Sequence, residues 1–232
     1  MQLYRNDRYI KRNKTLGRIM MFGGLGASFA AVIIVFVNSS LVSLALILML
    51  GGGLFSQLGT GVYNRFGRSP RMDEALDDSL KGLGDNYAMF HYYLGTDHAL
   101  FTPAGVFALV PRDEQGTIHY ESDRWIYTPA KRRFGRGQKS IKGIERDTTR
   151  DVNALKQSLS KKLPDAQQIF VTPLLVFVAN DTTVDTDNAP FPAVHIKKLK
   201  SYIRRQDRQK SLSAEEIREL AGILNIIADN PG

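Results

Sequence analysis

The sequence predicts an α/β protein in two parts, an N-terminal two-helix transmembrane hairpin followed by an α/β sandwich of roughly 150 residues. Three observations carry this. No charged residue occurs between Arg18 and Arg65, a gap of 46 positions. Beyond Arg71, segments with helical and strand periodicity alternate along the chain. The net charge of +8 also lies wholly beside the uncharged gap: nine of the 31 Lys/Arg and one of the 23 Asp/Glu fall in residues 1–71, which leaves 22 of each sign beyond.

The gap is too long for one bilayer crossing of about 20 residues and suits two. Asn38-Ser39-Ser40 divides it, so residues 19–37 and 41–58 read as two helices joined by a polar turn. Helices are the form in which an isolated segment satisfies its backbone in lipid. A cleaved signal peptide fits poorly, because the first apolar segment exceeds a signal core and a second follows at once. Arg5, Arg8, Lys11, Arg12, Lys14 and Arg18 precede the hairpin, and Arg65, Arg68 and Arg71 follow it. This bias predicts that both termini are cytoplasmic, in the cell (inner) membrane. The absence of cysteine agrees with a reducing compartment. The first partner expected is therefore the lipid bilayer, whose anionic headgroups the basic flanks attract at about 1 kcal/mol per residue.

Small residues are frequent in the spans, including Gly23, Gly24, Gly26, Ala27 and Ser28 in the first and Gly51, Gly52, Gly53, Gly59 and Gly61 in and after the second. Such residues let helices approach closely. They suit packing of the two spans on each other, or a docking face for a membrane-protein partner.

The expected boundaries are a basic N-terminus (1–18), the hairpin (19–63), a basic linker (64–71) and a cytoplasmic domain (72–232). In the domain, Ser69-Pro70 reads as an N-cap with proline in the first turn, before a helix carrying Met72, Leu76, Leu80 and Leu83 on one stripe. A β-hairpin at 95–112 and a Trp-containing stretch at 117–127 follow. Residues 131–142 are basic and broken by glycine, which reads as a loop. A helix is expected over 148–163, a buried strand over 169–179 and a short strand over 193–196. Ile196, Leu199 and Ile203 then line one face of a helix whose other side is basic. Ser213 and Glu216 form a capping box for the last helix.

The hairpin has a defined register. Thr102-Pro103-Ala104-Gly105 suits a type I turn, so cross-strand pairs sum to 207: Phe101 faces Val106, Ala99 faces Ala108, and Asp97 faces Val110. Arg112 shares that face, two residues on. A metal nuclease of the PD-(D/E)xK type needs an acid on one strand, an acid opposite it, and a Lys two residues later to orient the attacking water.

The segment "TDHALFTPAGVFALVPR" resembles the hairpin of the NERD (nuclease-related) domain family, which reads Asp-His, apolar run, Gly-Val-Phe, apolar, Glu-Val-Lys. The helix from Met72, Gly116, Trp125, "TPLLVFVAN", "AVHIKKLKSYI" and "LSAEEIREL" extend the resemblance over about two thirds of the chain. It implies a restriction-endonuclease-like α/β sandwich with a central mixed sheet. It also implies Asp73 and Asp97 as the acids, and hence the metal candidates, with His98 beside them. The second acid falls on Val110, the Lys on Arg112, and a Gln of the family near Asp147.

Val110 cannot ligate a cation, and Arg112 stays protonated and favours fork-shaped contacts. It is expected to clamp a phosphate or to neutralise Asp97. The catalytic candidates are thus Asp73, Asp97, His98 and Arg112 in a degenerate motif. Each also has a plain reading. Asp73 answers a helix dipole, and His98 is a satisfied core histidine. Asp113 or Glu114 would replace the lost acid only through a slipped register. Lys131, Arg132, Arg133 and Arg136, with the run at 197–210, are the nucleic-acid-binding candidates or else solvated faces. No cofactor is expected, and Mg²⁺ belongs only to the reading in which the site is active. The sequence thus supports a membrane-anchored, degenerate nuclease-related domain used for binding or as an accessory module, an active Mg²⁺-dependent nuclease with a rearranged site, or a structural subunit of a membrane complex.

Overall fold

The computed structural model describes residues 1–129, 138–162, 170–206 and 213–229. The chain divides into two compact units: Asn6–Glu74, and Met1–Arg5 together with Ala75–Gly232.

The second of these is built on a six-stranded mixed sheet. Strand β1 (Gln2–Arg5) pairs parallel with β2 (Ala88–His91), and antiparallel β3 (His98–Thr102) and β4 (Gly105–Arg112) follow. After β5 (Gly116–Glu121), β6 (Arg124–Thr128) and β7 (Lys139–Ser140), the sheet resumes with β8 (Val171–Phe177), parallel to β4. Strand β9 (Thr182–Asp185) precedes β10 (Ala193–His195), which closes the order β1-β2-β3-β4-β8-β10. The remaining strands form a second, four-stranded sheet in the order β7-β6-β5-β9.

Helices α1 (Asp7–Val37) and α2 (Val42–Gly67) make up most of the other unit, and α3 (Met72–Leu80) leads from it into the sheet domain. Helices α4 (Ile144–Lys162), α5 (Ile196–Gln206) and α6 (Ala214–Asp229) complete the chain. Alternation along the strands assigns each helix a side of the larger sheet. Ala88, Phe90, Ala99, Phe101, Val106 and Ala108 pack against Val152, Leu155 and Leu159 of α4 and Ile217 and Ala221 of α6. Met89, Leu100, Phe107, Leu109, Leu174 and Val176 pack on the opposite face against Leu76 and Leu80 of α3 and Leu199 and Ile203 of α5. The result is a three-layer sandwich with a mixed sheet at its centre.

Several local expectations are met. The β3–β4 ladder pairs Phe101 with Val106 and Ala99 with Ala108. The Ser213 amide donates to the Glu216 carboxylate at 2.6 Å and the Glu216 amide to Ser213 Oγ at 3.1 Å, which completes the capping box. The Ser213 amide bond holds the Glu216 carboxyl below its usual range. At α3 the arrangement differs: Glu74, not Ser69, accepts the Arg71 amide at 2.9 Å, and Ser69 Oγ donates to the same carboxylate.

Residues 1–18 are not a separate basic arm. Gln2–Arg5 is an edge strand in the sheet, and the charged residues from Arg8 to Arg18 belong to the same helix as the first apolar span. Four residues are too short to display a period, and what holds them is remote in sequence: Tyr4 stacks on Phe90 at 4.6 Å, and Arg5 pairs with Asp77.

Both α1 and α2 are long and apolar enough to cross a membrane. Asn38, with Ser39–Leu41 in a 3-10 turn, connects them, and the Asn38 side chain accepts the Ser40 amide at 3.0 Å. The buried positions on α1 are Ile10, Gly17, Gly24 and Ala31, and those on α2 are Ala45, Gly52, Gly59 and Phe66. Each set recurs every seven residues, the spacing that keeps small side chains on one seam. A Cβ on Gly52 would lie 2.6 Å from the Gly24 carbonyl oxygen, and one on Gly17 would lie 2.7 Å from the Tyr63 amide nitrogen. Gly23, Gly26, Gly51, Gly53 and Gly61 have open space instead. Gly17, Gly24, Gly52 and Gly59 therefore serve the packing of the two helices on each other.

Gly24→Ala and Gly52→Ala should each destabilise the hairpin by about 1–3 kcal/mol, because the added methyl meets backbone that cannot rotate away. Gly23→Ala and Gly53→Ala should be neutral or slightly stabilising, through helix propensity alone. Denaturation of the detergent-purified protein distinguishes the pairs; equal effects at positions 23 and 24 would rule out the seam.

Candidate functional site

The site that the sequence marks lies where β3 and β4 meet α4. The Thr102–Gly105 turn is closed by its own side chain, since Thr102 Oγ1 accepts the Ala104 amide at 3.1 Å and donates to the Gly105 carbonyl at 3.0 Å. The ladder ends at Ala99–Ala108 and His91–His98, so Asp97 lies one residue before β3. Its carbonyl accepts the Tyr92 amide at 2.8 Å, closing the loop between β2 and β3. That loop holds Tyr92 at φ 63° and Gly95 at φ 73°. A side chain at 95 would also press on Ser158 Oγ and the Ala154 carbonyl of α4. Asp97 is half-buried and close enough to Arg150 and Asp151 to act on both electrostatically.

Val110 is buried in an apolar cluster with Ile118, Trp125, Ile144, Leu175 and Phe177, between the large sheet and the small one. The place where the resemblance calls for a carboxylate is therefore packed with hydrocarbon. An ion there would lose its hydration among largely apolar neighbours.

Arg112 does not neutralise Asp97 through any direct pair described. Its guanidinium donates to Glu114 from Nη2 at 2.6 Å and from Nε at 3.3 Å, while Nη1 lies 3.7 Å from Asp147. Asp147 also lies 3.7 Å from Arg150, which in turn donates to Asp151 at 3.0 Å. Arg112, Glu114, Asp147, Arg150 and Asp151 thus form a chain of alternating charge at the start of α4. Burial pushes the Asp151 carboxyl up despite the Arg150 hydrogen bond, and the hydrogen bond and charge of Asp151, with Asp147 and Asp97, push the Arg150 guanidinium up.

His98 is buried on the opposite face of the sheet, as its alternation with Asp97 requires. Its Nδ1 lies 2.7 Å from His91 Nδ1, and His91 Nε2 lies 2.8 Å from Asp77 Oδ1. Asp77 also pairs with Arg5. An ionised Asp77 only accepts, so His91 Nε2 donates to it and the two Nδ1 atoms share one proton between them. The Tyr92 ring closes over His98, with centroids 5.2 Å apart. This is a satisfied core histidine at the end of a polar chain from β1 through α3 and β2 to β3. Sequence reasoning missed Arg5, Asp77 and His91. The one available signal was the spacing of Asp77 from Asp73, which puts it a turn further along one helix.

Asp73 is buried and accepts both Nε and Nη2 of Arg71 at 2.9 Å. It also stands in the first turn of α3, where a negative charge answers the dipole. Lys131, Arg132, Arg133 and Arg136 lie outside the described residues. Of the second basic run, Lys200 and Arg204 donate to the carbonyls of Lys81 and Gly82, just beyond the end of α3. Lys197, Lys198 and Arg205 are exposed.

The residues present do not fit a Mg²⁺ site of the nuclease type. One acid position is apolar, arginines hold the nearest carboxylates, and among the described residues no three His, Asp or Glu side chains are grouped to hold a metal ion. Val110→Glu should therefore cost stability, about 2 kcal/mol or more at neutral pH, by placing an unpartnered carboxylate among apolar side chains. The penalty should shrink as pH falls and the introduced group is protonated. A variant as stable as the parent at pH 7 in chemical denaturation would contradict the buried placement of position 110.

No protein-family model, no curated protein and no solved structure matches this chain.

Proposed function

We propose that the chain is a membrane-anchored member of the nuclease-related type whose site no longer cleaves. In this reading it serves as a binding or accessory module at the cytoplasmic face of the inner membrane. The observation that carries the catalytic part is the placement of Arg112 between Glu114 and Asp147, beside an apolar Val110. A guanidinium is a fixed, always protonated cation, so it neutralises acids but cannot activate water as a metal ion does. What remains is a charged surface, suited to holding a partner rather than breaking a bond.

The anchoring part rests on helices whose outer faces are apolar. Phe22, Phe29, Phe36, Ile47, Leu50 and Leu54 are each at least 59% exposed, an arrangement that is costly in water and favourable in hydrocarbon. Strand β1 precedes the hairpin and α3 follows it, and both contribute to one sheet domain. A hairpin crossing twice starts and ends on one side, which agrees with the basic flanks at both ends.

A second reading, an active nuclease with a rearranged site, draws on the nearness of Asp97 to Asp147 and Asp151 around Arg150. Activity separates the two. The purified protein should show no Mg²⁺- or Mn²⁺-dependent cleavage of single- or double-stranded DNA or RNA, and Asp97→Ala should change nothing catalytic. Robust cleavage abolished by Asp97→Ala would establish the second reading.

Topology is testable separately. An impermeant thiol reagent applied from outside the cell should label Ser39→Cys and leave Asp187→Cys untouched until the membrane is opened. The reverse pattern would invert the orientation.

A further inference from the structure

We propose that the outward face of α1 at the start of the apolar span is a binding site for an anionic phospholipid, an inference that rests on the membrane reading above. Arg8, Lys11, Arg12, Thr15, Leu16 and Ile19 together form one shallow, open patch on this face. All six are exposed. At 100° per residue they lie on the side of α1 opposite Ile10, Gly17 and Gly24, so packing with α2 leaves them turned outward.

The order of chemistry along this face matches that of a lipid along its length. Three cations come first, a hydroxyl follows at Thr15, and hydrocarbon begins at Leu16 and Ile19, the whole spanning about 16 Å at 1.5 Å per residue. Residue 19 is also where the uncharged stretch begins. A headgroup phosphate fits among the three cations, the Thr15 hydroxyl meets the ester region, and an acyl chain continues along the apolar surface.

The cations also lack an acidic partner of their own. Arg12 lies over the Tyr9 ring at 5.6 Å, and none of the three forms an ion pair with an acid among the described residues. Lys11 and Arg12 follow Arg8 by three and four residues, so both repel it along the helix, and all three stand near the positive end of the helix dipole. Both effects disfavour this placement in an isolated helix, and a bound anion reverses both. A phosphate free in solution meets only the cationic end, whereas a phospholipid meets the whole face.

The test uses the full chain. Flotation with phosphatidylcholine vesicles after an alkaline carbonate wash first establishes insertion; failure there would sink the membrane reading and this inference with it. Lipid binding is then measured on the detergent-solubilised protein by native mass spectrometry, with phosphatidylglycerol against phosphatidylcholine. Phosphatidylglycerol should be preferred by on the order of tenfold or more. The triple variant Arg8→Gln, Lys11→Gln, Arg12→Gln should bring that preference to within about twofold, with helicity by circular dichroism unchanged. Removing equal charge elsewhere, by Lys197→Gln, Lys198→Gln, Arg205→Gln, should leave it intact. An inserted protein with no preference, equal losses in both triple variants, or displacement of the lipid by inorganic phosphate at matched concentration would each overturn the site.

Discussion

The register of the Thr102–Gly105 turn governs the chemistry of the sheet domain. With Thr102 bonded to both Ala104 and Gly105, β3 and β4 can pair in one way only, and alternation then assigns every neighbour a face. Ala99, Phe101, Val106 and Ala108 meet α4 and α6, while Leu100, Phe107 and Leu109 meet α3 and α5. A slip by one residue would bring His98 to the α4 side and take Val110 out of its apolar cluster. That single constraint is why the acidic residue and the histidine of "TDHAL" serve different surroundings although they are adjacent in sequence.

Those two surroundings solve the problem of buried charge differently. Beneath α4, arginines balance acids in a row at the domain surface, where exposed Arg150 and half-buried Asp147 remain partly hydrated. Beneath α3, Arg5, Asp77, His91 and His98 form a more enclosed chain in which each group is bonded to the next. Buried polar groups are tolerable when they are bonded to one another, and here Asp77 receives its second partner because β1 delivers Arg5 to the end of the sheet. The strand therefore contributes a charge as well as backbone pairing.

The helical hairpin follows a different rule. Its two helices are apolar enough to cross a membrane, and they associate by close van der Waals approach, which glycine at seven-residue intervals provides. Gly24 against Gly52 and Gly17 against Gly59 bring backbone to backbone, while Ser28 donates to the Met49 carbonyl at 3.1 Å. Within the apolar spans most large residues are left for the outer surface, the inverse of a water-soluble pair of helices.

By itself the sequence determined whatever depends on neighbours close in the chain: the uncharged gap and its polar turn, the β3–β4 register, the capping box at Ser213 and Glu216, and the apolar strand now seen as β8. Each is written in a local period, a turn residue or a charge bias. Only the tertiary structure decided the rest. The pairing of β1 with β2, the placement of Arg112 between Glu114 and Asp147, the Asp77–His91–His98 chain and the sorting of glycines into seam and outer face all join residues distant in sequence or on separate elements. Val110 shows the difference most clearly. As a letter it is one apolar residue near the end of a strand, and its surroundings, a cluster contributed by β4, β5, β6, β8 and α4, exist only once both sheets are assembled.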